Sequence, residues 1–195
     1  MKAEEAEIRQ KFGLTPISKV GEGARSYCWA VSDPKTHELL LLKHVRIENE
    51  KDVRWVEQLE SEHQIASRFD HPSIRGSRGM RYHPQKRHAT DAALVMDFVD
   101  GIEMQEWATL RQPSLAELLD VFIACADALN HMHVKGFAHA DMKPINVLIE
   151  KRVGTPMLID LGQACPLNTV KERVQGTPGF IAPEQVRRQA ITYLT

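Results

Sequence analysis

The sequence predicts an α+β protein in which strands come first and helices later. Three observations carry this. Short β-type runs at 17–20, 27–31, 39–45 and 92–99 fill the first half. A single helical period at 52–69 interrupts them, and a long apolar stripe at helical spacing begins after Ser114. The change from strand-rich to helical falls near Asp100–Glu103, which divides the chain into a lead-in at 1–13, a strand-rich portion at 14–99 and a helical portion at 100–195.

Residues 1–13 are charged and helix-favouring. Gly21 and Gly23 punctuate the first two β runs, and Ser32-Asp33-Pro34 the second and third. The 52–69 helix places Trp55, Leu59, Glu62, Ala66 and Phe69 on one face and is stopped by His71-Pro72. The segment 75–88 (Arg75, Arg78, Arg81, Lys86, Arg87) reads as a solvated basic loop between strands. Ser114 and Glu117 form a capping box, in which the serine accepts from the N3 amide and the glutamate reaches back to the cap amide. The helix they open carries Leu115, Leu118, Leu119, Phe122, Ala126, Leu129 and Met132 as its expected core stripe, with Gly136 placed to end it. Short β runs at 147–149 and 157–159 follow.

Composition excludes several function classes. The chain has 195 residues, 43% hydrophobic and 26% charged, and a net charge of −1. That balance argues against disorder and against an electrostatically driven nucleic-acid or membrane binder. The longest apolar run is Val121 to Ala126, far short of a membrane span, and the first ten residues lack the apolar core of a signal peptide. Cys28, Cys125 and Cys165 lie far apart, as expected of buried thiols in a reducing cytoplasm.

Several residues are out of place for a purely structural chain. Glu62 sits in an apolar stripe, and Lys43 shares a strand face with Leu39, Leu41 and Val45. A buried charge is costly unless it is met by its opposite, so the two suggest a mutual ion pair; the alternative is that each snorkels to water separately. Val20-Gly-Glu-Gly-Ala-Arg-Ser26 lets backbone amides approach phosphate oxygens closely, although an ordinary hairpin turn carries the same glycines. His139-Ala-Asp-Met-Lys-Pro-Ile-Asn146 gathers Asp141, Lys143 and Asn146 within six residues. Phosphoryl transfer needs such a set: a carboxylate for the attacking hydroxyl, a cation for the transferring phosphate and an oxygen ligand for Mg²⁺. Asp160, released at a strand end in Ile159-Asp-Leu-Gly162, would add a charged Mg²⁺ ligand. Each of these alone is a polar turn; their conjunction in this order is not.

With these residues in view, the sequence from Leu14 onward resembles the eukaryotic-type protein kinases, in their serine/threonine branch. The resemblance implies a two-lobe fold with an antiparallel β-rich N-lobe and a mainly helical C-lobe. Gly21 and Gly23 match the Gly-rich loop, with Ser26 at the third glycine. Lys43 and Glu62 match the lysine of the VAIK motif and its partner. Ala93 to Gly101 resembles the hinge, with Met96 as gatekeeper, Asp97 to Val99 offering backbone groups to adenine and Glu103 similar to a ribose-contacting acid. Asp141 stands as the catalytic base of HRD, Asp160 as the acid of DFG, and Leu148 as the residue under the adenine. Gly176-Thr-Pro-Gly-Phe-Ile-Ala-Pro-Glu184 resembles the substrate-docking loop and APE motif, and argues against small-molecule phosphotransferases. ATP, Mg²⁺ and a protein substrate follow as implied ligands, with no nucleic acid and no membrane segment.

The departures carry expectations of their own. Ala140 replaces the HRD arginine, which in the family often reads an activation-loop phosphate, so activity is expected not to depend on phosphorylation at Thr169. Thr177 is expected to bond to the catalytic loop. Cys28 stands where the family usually has valine, and Leu41 where it usually has alanine; the bulkier Leu41 is expected to crowd adenine and weaken ATP binding. The chain stops eleven residues after Glu184. The resemblance implies further helices there, so the expectation is an incomplete kinase domain with exposed apolar surface in its C-terminal portion. The rival reading is a non-catalytic kinase-like module that binds nucleotide or a partner.

Overall fold

A computed structural model describes residues 2–23 and 25–195, the side chain of Lys2 excepted. Ala24, in the glycine-bearing loop, and Met1, in the lead-in, lie outside the described residues. The chain folds as two compact units, Met1–Ser67 with Gly76–Phe98, and Arg68–Arg75 with Val99–Thr195.

The first unit is a five-stranded antiparallel sheet with a helix on each face. Its strands are β1 (Thr15–Glu22), β2 (Tyr27–Ser32), β3 (Leu39–Arg46), β4 (Ser77–His83) and β5 (Asp91–Asp97), in the order β1-β2-β3-β5-β4. The lead-in forms α1 (Lys2–Phe12), whose Ile8 and Phe12 lie four residues apart and bury against Leu14, Trp29, Leu40, Leu42 and Val95. On the other face α2 (Val53–Ala66) packs Val56 and Leu59 against Leu41, Val45, Leu94 and Met96. The central strand β3 is therefore apolar on both sides, which explains its unbroken leucine run. Leu39, at the strand's start, is exposed rather than inward-facing.

Two sequence expectations change here. The α2 helix stops at Ala66, where the Ser67 hydroxyl donates to the His63 carbonyl at 2.7 Å. Phe69, expected on its apolar face, belongs instead to the second unit, edge-on to Phe137. The segment read as a solvated basic loop contains β4. Its Met80 and Tyr82 pack toward α2, while Arg78 bonds to Asp97 and Glu38, Arg81 bonds to the Phe12 carbonyl and faces Asp33, and Lys86 pairs with Glu60. These charges are met by acids distant in sequence, which is why a local reading took them as solvated.

The second unit holds a small antiparallel sheet of β6 (Gly101–Glu103), β8 (Val147–Glu150) and β9 (Pro156–Leu158), and a short pair of β7 (Phe137–Ala138) and β10 (Cys165–Pro166). Its helices are α3 (Met104–Arg111), which the sequence reading missed, α4 (Leu115–Val134) and α5 (Pro183–Val186). The Ser114–Glu117 capping box opens α4, and Gly136, at φ +83°, ends it in the left-handed conformation that glycine adopts without strain. The buried face of α4 differs from the expected stripe. Met132 is buried as expected, but Val121, Cys125 and Ala128 make up the rest of the inner face, whereas Leu115 and Phe122 are 73% and 52% exposed, and Leu119 and Ile123 are exposed beside them. The helix is apolar around most of its circumference, and the side that packs on β7 and β9 carries the smaller residues. None of the helices among the described residues is long and apolar enough to cross a membrane.

Candidate active site

In the first unit, the Lys43 ammonium meets the Glu62 carboxylate at 2.8 Å, with Glu62 only 2% exposed. The two residues that looked misplaced on their faces are thus brought together, one from the centre of β3 and one from the buried stripe of α2. The glycine-bearing turn follows β1: the Gly23 amide donates to the Ser26 carbonyl at 2.7 Å. A Cβ at Gly21 would make only ordinary contact with Cys28, and one at Gly23 would meet the movable Ser26 hydroxyl. Among the described residues, packing therefore places little demand on either glycine. Leu41 and Met96 are buried in the cluster beneath α2, with Cys28 packed against them. The Asp97 carboxylate is taken by Arg78, and its amide donates to the Gly76 carbonyl at 3.0 Å.

In the second unit, the loop after β7 carries a closed polar network. Lys143 Nζ lies 2.8 Å from Asp141 Oδ2 and donates to Thr177 Oγ1 at 2.7 Å. Thr177 in turn donates to Asp141 Oδ1 at 2.9 Å. Asn146 donates from Nδ2 to the Asp141 carbonyl at 2.8 Å and to Oδ2 at 3.2 Å. The Asp141 amide donates to Nδ1 of His139, so the ring proton sits on Nε2. Burial holds the His139 imidazole below its usual pKa and therefore neutral. The bond expected from Thr177 to this loop is present.

Asp160 follows β9 with φ of 60°, a left-handed conformation that a non-glycine residue holds only when its surroundings impose it. The Ile159 amide donates to the Asn146 carbonyl at 2.9 Å, tying that segment to the Asp141 loop. Because Asn146 spends its amide nitrogen on Asp141, its side chain offers an oxygen as the remaining ligand atom. Asn146 and Asp160 are thus an all-oxygen donor pair, the type a hard cation such as Mg²⁺ takes, with phosphate and water completing its shell. Among the described residues no cluster of three or more His, Cys, Asp or Glu side chains could hold a metal unaided. Leu148 lies opposite Glu103 across the β6–β8 pair, so the two share a face, away from the buried Val147 and Ile149. The Val99 carbonyl accepts from the Gly101 amide at 3.0 Å.

The family model of the protein kinase domain matches residues 14–195. The chain belongs to the protein kinase family. It is 30% identical over 175 residues to the serine/threonine-protein kinase AtPK1/AtPK6 of Arabidopsis thaliana, covering 86% of this chain and 36% of that protein. It is 31% identical over 141 residues to the mouse death-associated protein kinase 2, covering 69% of this chain and 37% of that protein. A bacterial relative, the serine/threonine-protein kinase PrkC of Bacillus subtilis, is 26% identical over 173 residues, covering 86% of this chain and 26% of that protein. The chain spans about a quarter to a half of the length of the curated kinases it matches.

Ala140, between His139 and Asp141, is buried. Its side chain is buried in an apolar cluster with Ala138, Cys165 and Ile191, with Leu167 packed against it. The following segment is held by main-chain bonds: Leu167 to Gly136, Asn168 to Ile191 and Ile191 to Thr169, at 2.7–2.9 Å. Lys171 adds a bond from Nζ to the Gln163 carbonyl at 2.9 Å. The Glu184 carboxylate accepts from the Thr195 hydroxyl at 2.6 Å, and that bond holds it below the usual carboxylate pKa.

Proposed function

We propose that this chain carries the catalytic machinery of a serine/threonine protein kinase, which transfers the γ-phosphoryl group of ATP to a serine or threonine hydroxyl of a protein. The observation that carries the reading is the arrangement around Asp141. A carboxylate has about four acceptor sites. Among the described residues Oδ2 takes Lys143 and Asn146, while Oδ1 takes Thr177 alone, which leaves Oδ1 room for one more proton donor. Asp141 Oδ1 is the atom that would orient the attacking hydroxyl and receive its proton.

Lys143, fixed between Asp141 and Thr177, would place its ammonium beside the transferring phosphoryl group. Lys43, held by Glu62 in the first unit, is assigned to the α and β phosphates, and Gly21, Gly23 and Ser26 to backbone contacts with them. Asp97, Val99, Glu103 and Leu148 are assigned to the nucleoside. Asn146 and Asp160 would hold Mg²⁺, which supplies charge neutralisation at the phosphates when bound. Positioning and charge, rather than covalent chemistry by the protein, then account for the rate.

The test is transfer of labelled phosphate from Mg·ATP to a mixed protein substrate, with Asp141→Asn alongside and phosphoamino-acid analysis of the product. Label on serine or threonine that disappears in Asp141→Asn is the expected result. Undiminished transfer in that variant, or label on tyrosine, overturns the proposal. A melting temperature raised by Mg·ATP without any transfer would favour a nucleotide-binding module instead.

A further inference from the structure

Gln185 is 7% exposed and lies in α5, directly after the APE sequence. Three of its four hydrogen-bonding positions are used. Oε1 accepts from the Ala182 amide at 3.0 Å, which closes the start of its own helix. Nε2 donates to the Ala140 carbonyl at 2.9 Å and to the Gln175 carbonyl at 3.2 Å. One amide group thus joins α5, the segment before Gly176 and the loop that presents Asp141.

The Ala140 carbonyl is a telling place for such a bond. Ala140 has φ of 60°, a left-handed conformation that brings an alanine's Cβ too close to the following carbonyl oxygen and is strained for any residue but glycine. It persists only if its neighbours hold it. The carbonyl of Ala140 and the amide of Asp141 belong to one planar peptide unit. Gln185 holds the carbonyl end of that unit, and His139 Nδ1 accepts from the amide end at 3.3 Å. Both ends being pinned, the peptide plane is fixed, and with it the Asp141 Cα from which the side chain leaves the backbone. The segment that carries Gln185 also carries Thr177, which bonds to Asp141 Oδ1. Asp141 is therefore oriented twice from one stretch of chain, through its backbone by Gln185 and through its carboxylate by Thr177.

We infer that Gln185 is a positioning residue that clamps the Ala140–Asp141 peptide and so aims the Asp141 carboxylate at the hydroxyl it is to activate. The inference rests on Asp141 being the base of the proposed phosphoryl transfer. It assigns to a buried amide outside the family-like motifs a part of the work that the sequence alone would leave to the Asp141 loop.

Two substitutions in the full chain separate the clamp from the helix cap. Gln185→Glu keeps an oxygen for the Ala182 amide but, as a carboxylate, has no donor for Ala140 or Gln175; Gln185→Met keeps the shape and loses all three bonds. The first readout is the carbonyl ¹³C resonance of Ala140, which reports on the hydrogen bond independently of turnover. The second is the division between kcat and KM, with melting temperature as the control for folding. The Ala140 resonance is expected to shift in both variants, with kcat down roughly tenfold or more and the KM for ATP little changed.

An Ala140 resonance at its wild-type position in both variants overturns the clamp. So does an unchanged kcat in both, when Asp141→Asn abolishes transfer; the kinase reading then stands without it. If Asp141→Asn leaves transfer intact, the kinase reading fails, and a shifted Ala140 resonance still establishes the bond while removing its catalytic meaning. If Gln185→Glu does not fold, Gln185→Met supplies both readouts.

Discussion

Replacing Asp91 with alanine removes an acceptor from three donors at once. The Asp91 side chain is 1% exposed and receives Lys11 at 3.0 Å, His44 at 2.8 Å and the Thr90 hydroxyl at 2.8 Å. It joins α1 to the adjacent strands β3 and β5, on the face that also buries Phe12. Removing one partner of a buried ion pair costs about 3–5 kcal/mol. Lys11 is 19% exposed and has a second acceptor in Glu7 at 3.5 Å, so the lower end, about 3 kcal/mol, applies. For a chain of this size each kcal/mol moves the melting temperature by about 2–4 °C, which predicts a fall of about 6–12 °C. A thermal melt followed by circular dichroism at pH 7 measures it.

The pH dependence is a second check on the same residue. Burial alone would lift the Asp91 carboxyl, but the bonds from His44, Lys11 and Thr90 outweigh it and hold its pKa well below the usual carboxylate range. A folded pKa below the unfolded value of about 3.9 means the stabilisation is present above that pH and is lost as pH falls toward the folded pKa. The difference in melting temperature between wild type and Asp91→Ala should therefore be constant from about pH 7 to 5 and narrow below about pH 4. A fall of under about 2 °C at pH 7, or a difference that widens on acidification, refutes the reasoning.

Two further predictions concern the second unit. Thr177→Val removes both a donor to Asp141 and an acceptor for Lys143, so kcat is expected to fall roughly tenfold to a hundredfold, with Thr177→Ser restoring most of it; steady-state kinetics of both variants decides. Thr169→Ala is expected to leave turnover unchanged, because the segment is tied down by main-chain bonds and the apolar cluster at Ala140 instead of by a phosphate. Loss of transfer in that variant, with folding intact, would show that a phosphate at Thr169 is needed after all.

How legible each feature was depended on how far its partners lie along the chain. Lys43 and Glu62 stood out because each breaks an apolar period, and a buried charge demands an opposite charge. Asp141, Lys143 and Asn146 fall within six residues, so their proximity was readable before any fold was known. The β4 strand was not readable, since its arginines hide the alternation of Met80 and Tyr82 and their acids come from elsewhere, Asp33 and Glu38 from the β2–β3 connection and Asp97 from β5. The α4 face was misread because helical spacing identifies stripes but cannot rank two apolar stripes on one helix. Gln185 gave no signal at all: a lone glutamine after a motif is ordinary until its amide is seen against the Ala140 carbonyl.

Residue order alone therefore carried the fold class, the family resemblance and the local chemistry of the Asp141 loop, because secondary-structure period and short-range spacing are properties of neighbouring residues. Folding settled the rest. It chose which side of α4 is buried, turned a basic stretch into a paired edge strand, and brought Thr177 onto the Asp141 carboxylate and Gln185 onto the Ala140–Asp141 peptide from some forty residues away. Those outcomes depend on which donors and acceptors meet once the chain is compact, and the free energy of a buried hydrogen bond or ion pair belongs to the pair, not to either residue in the sequence.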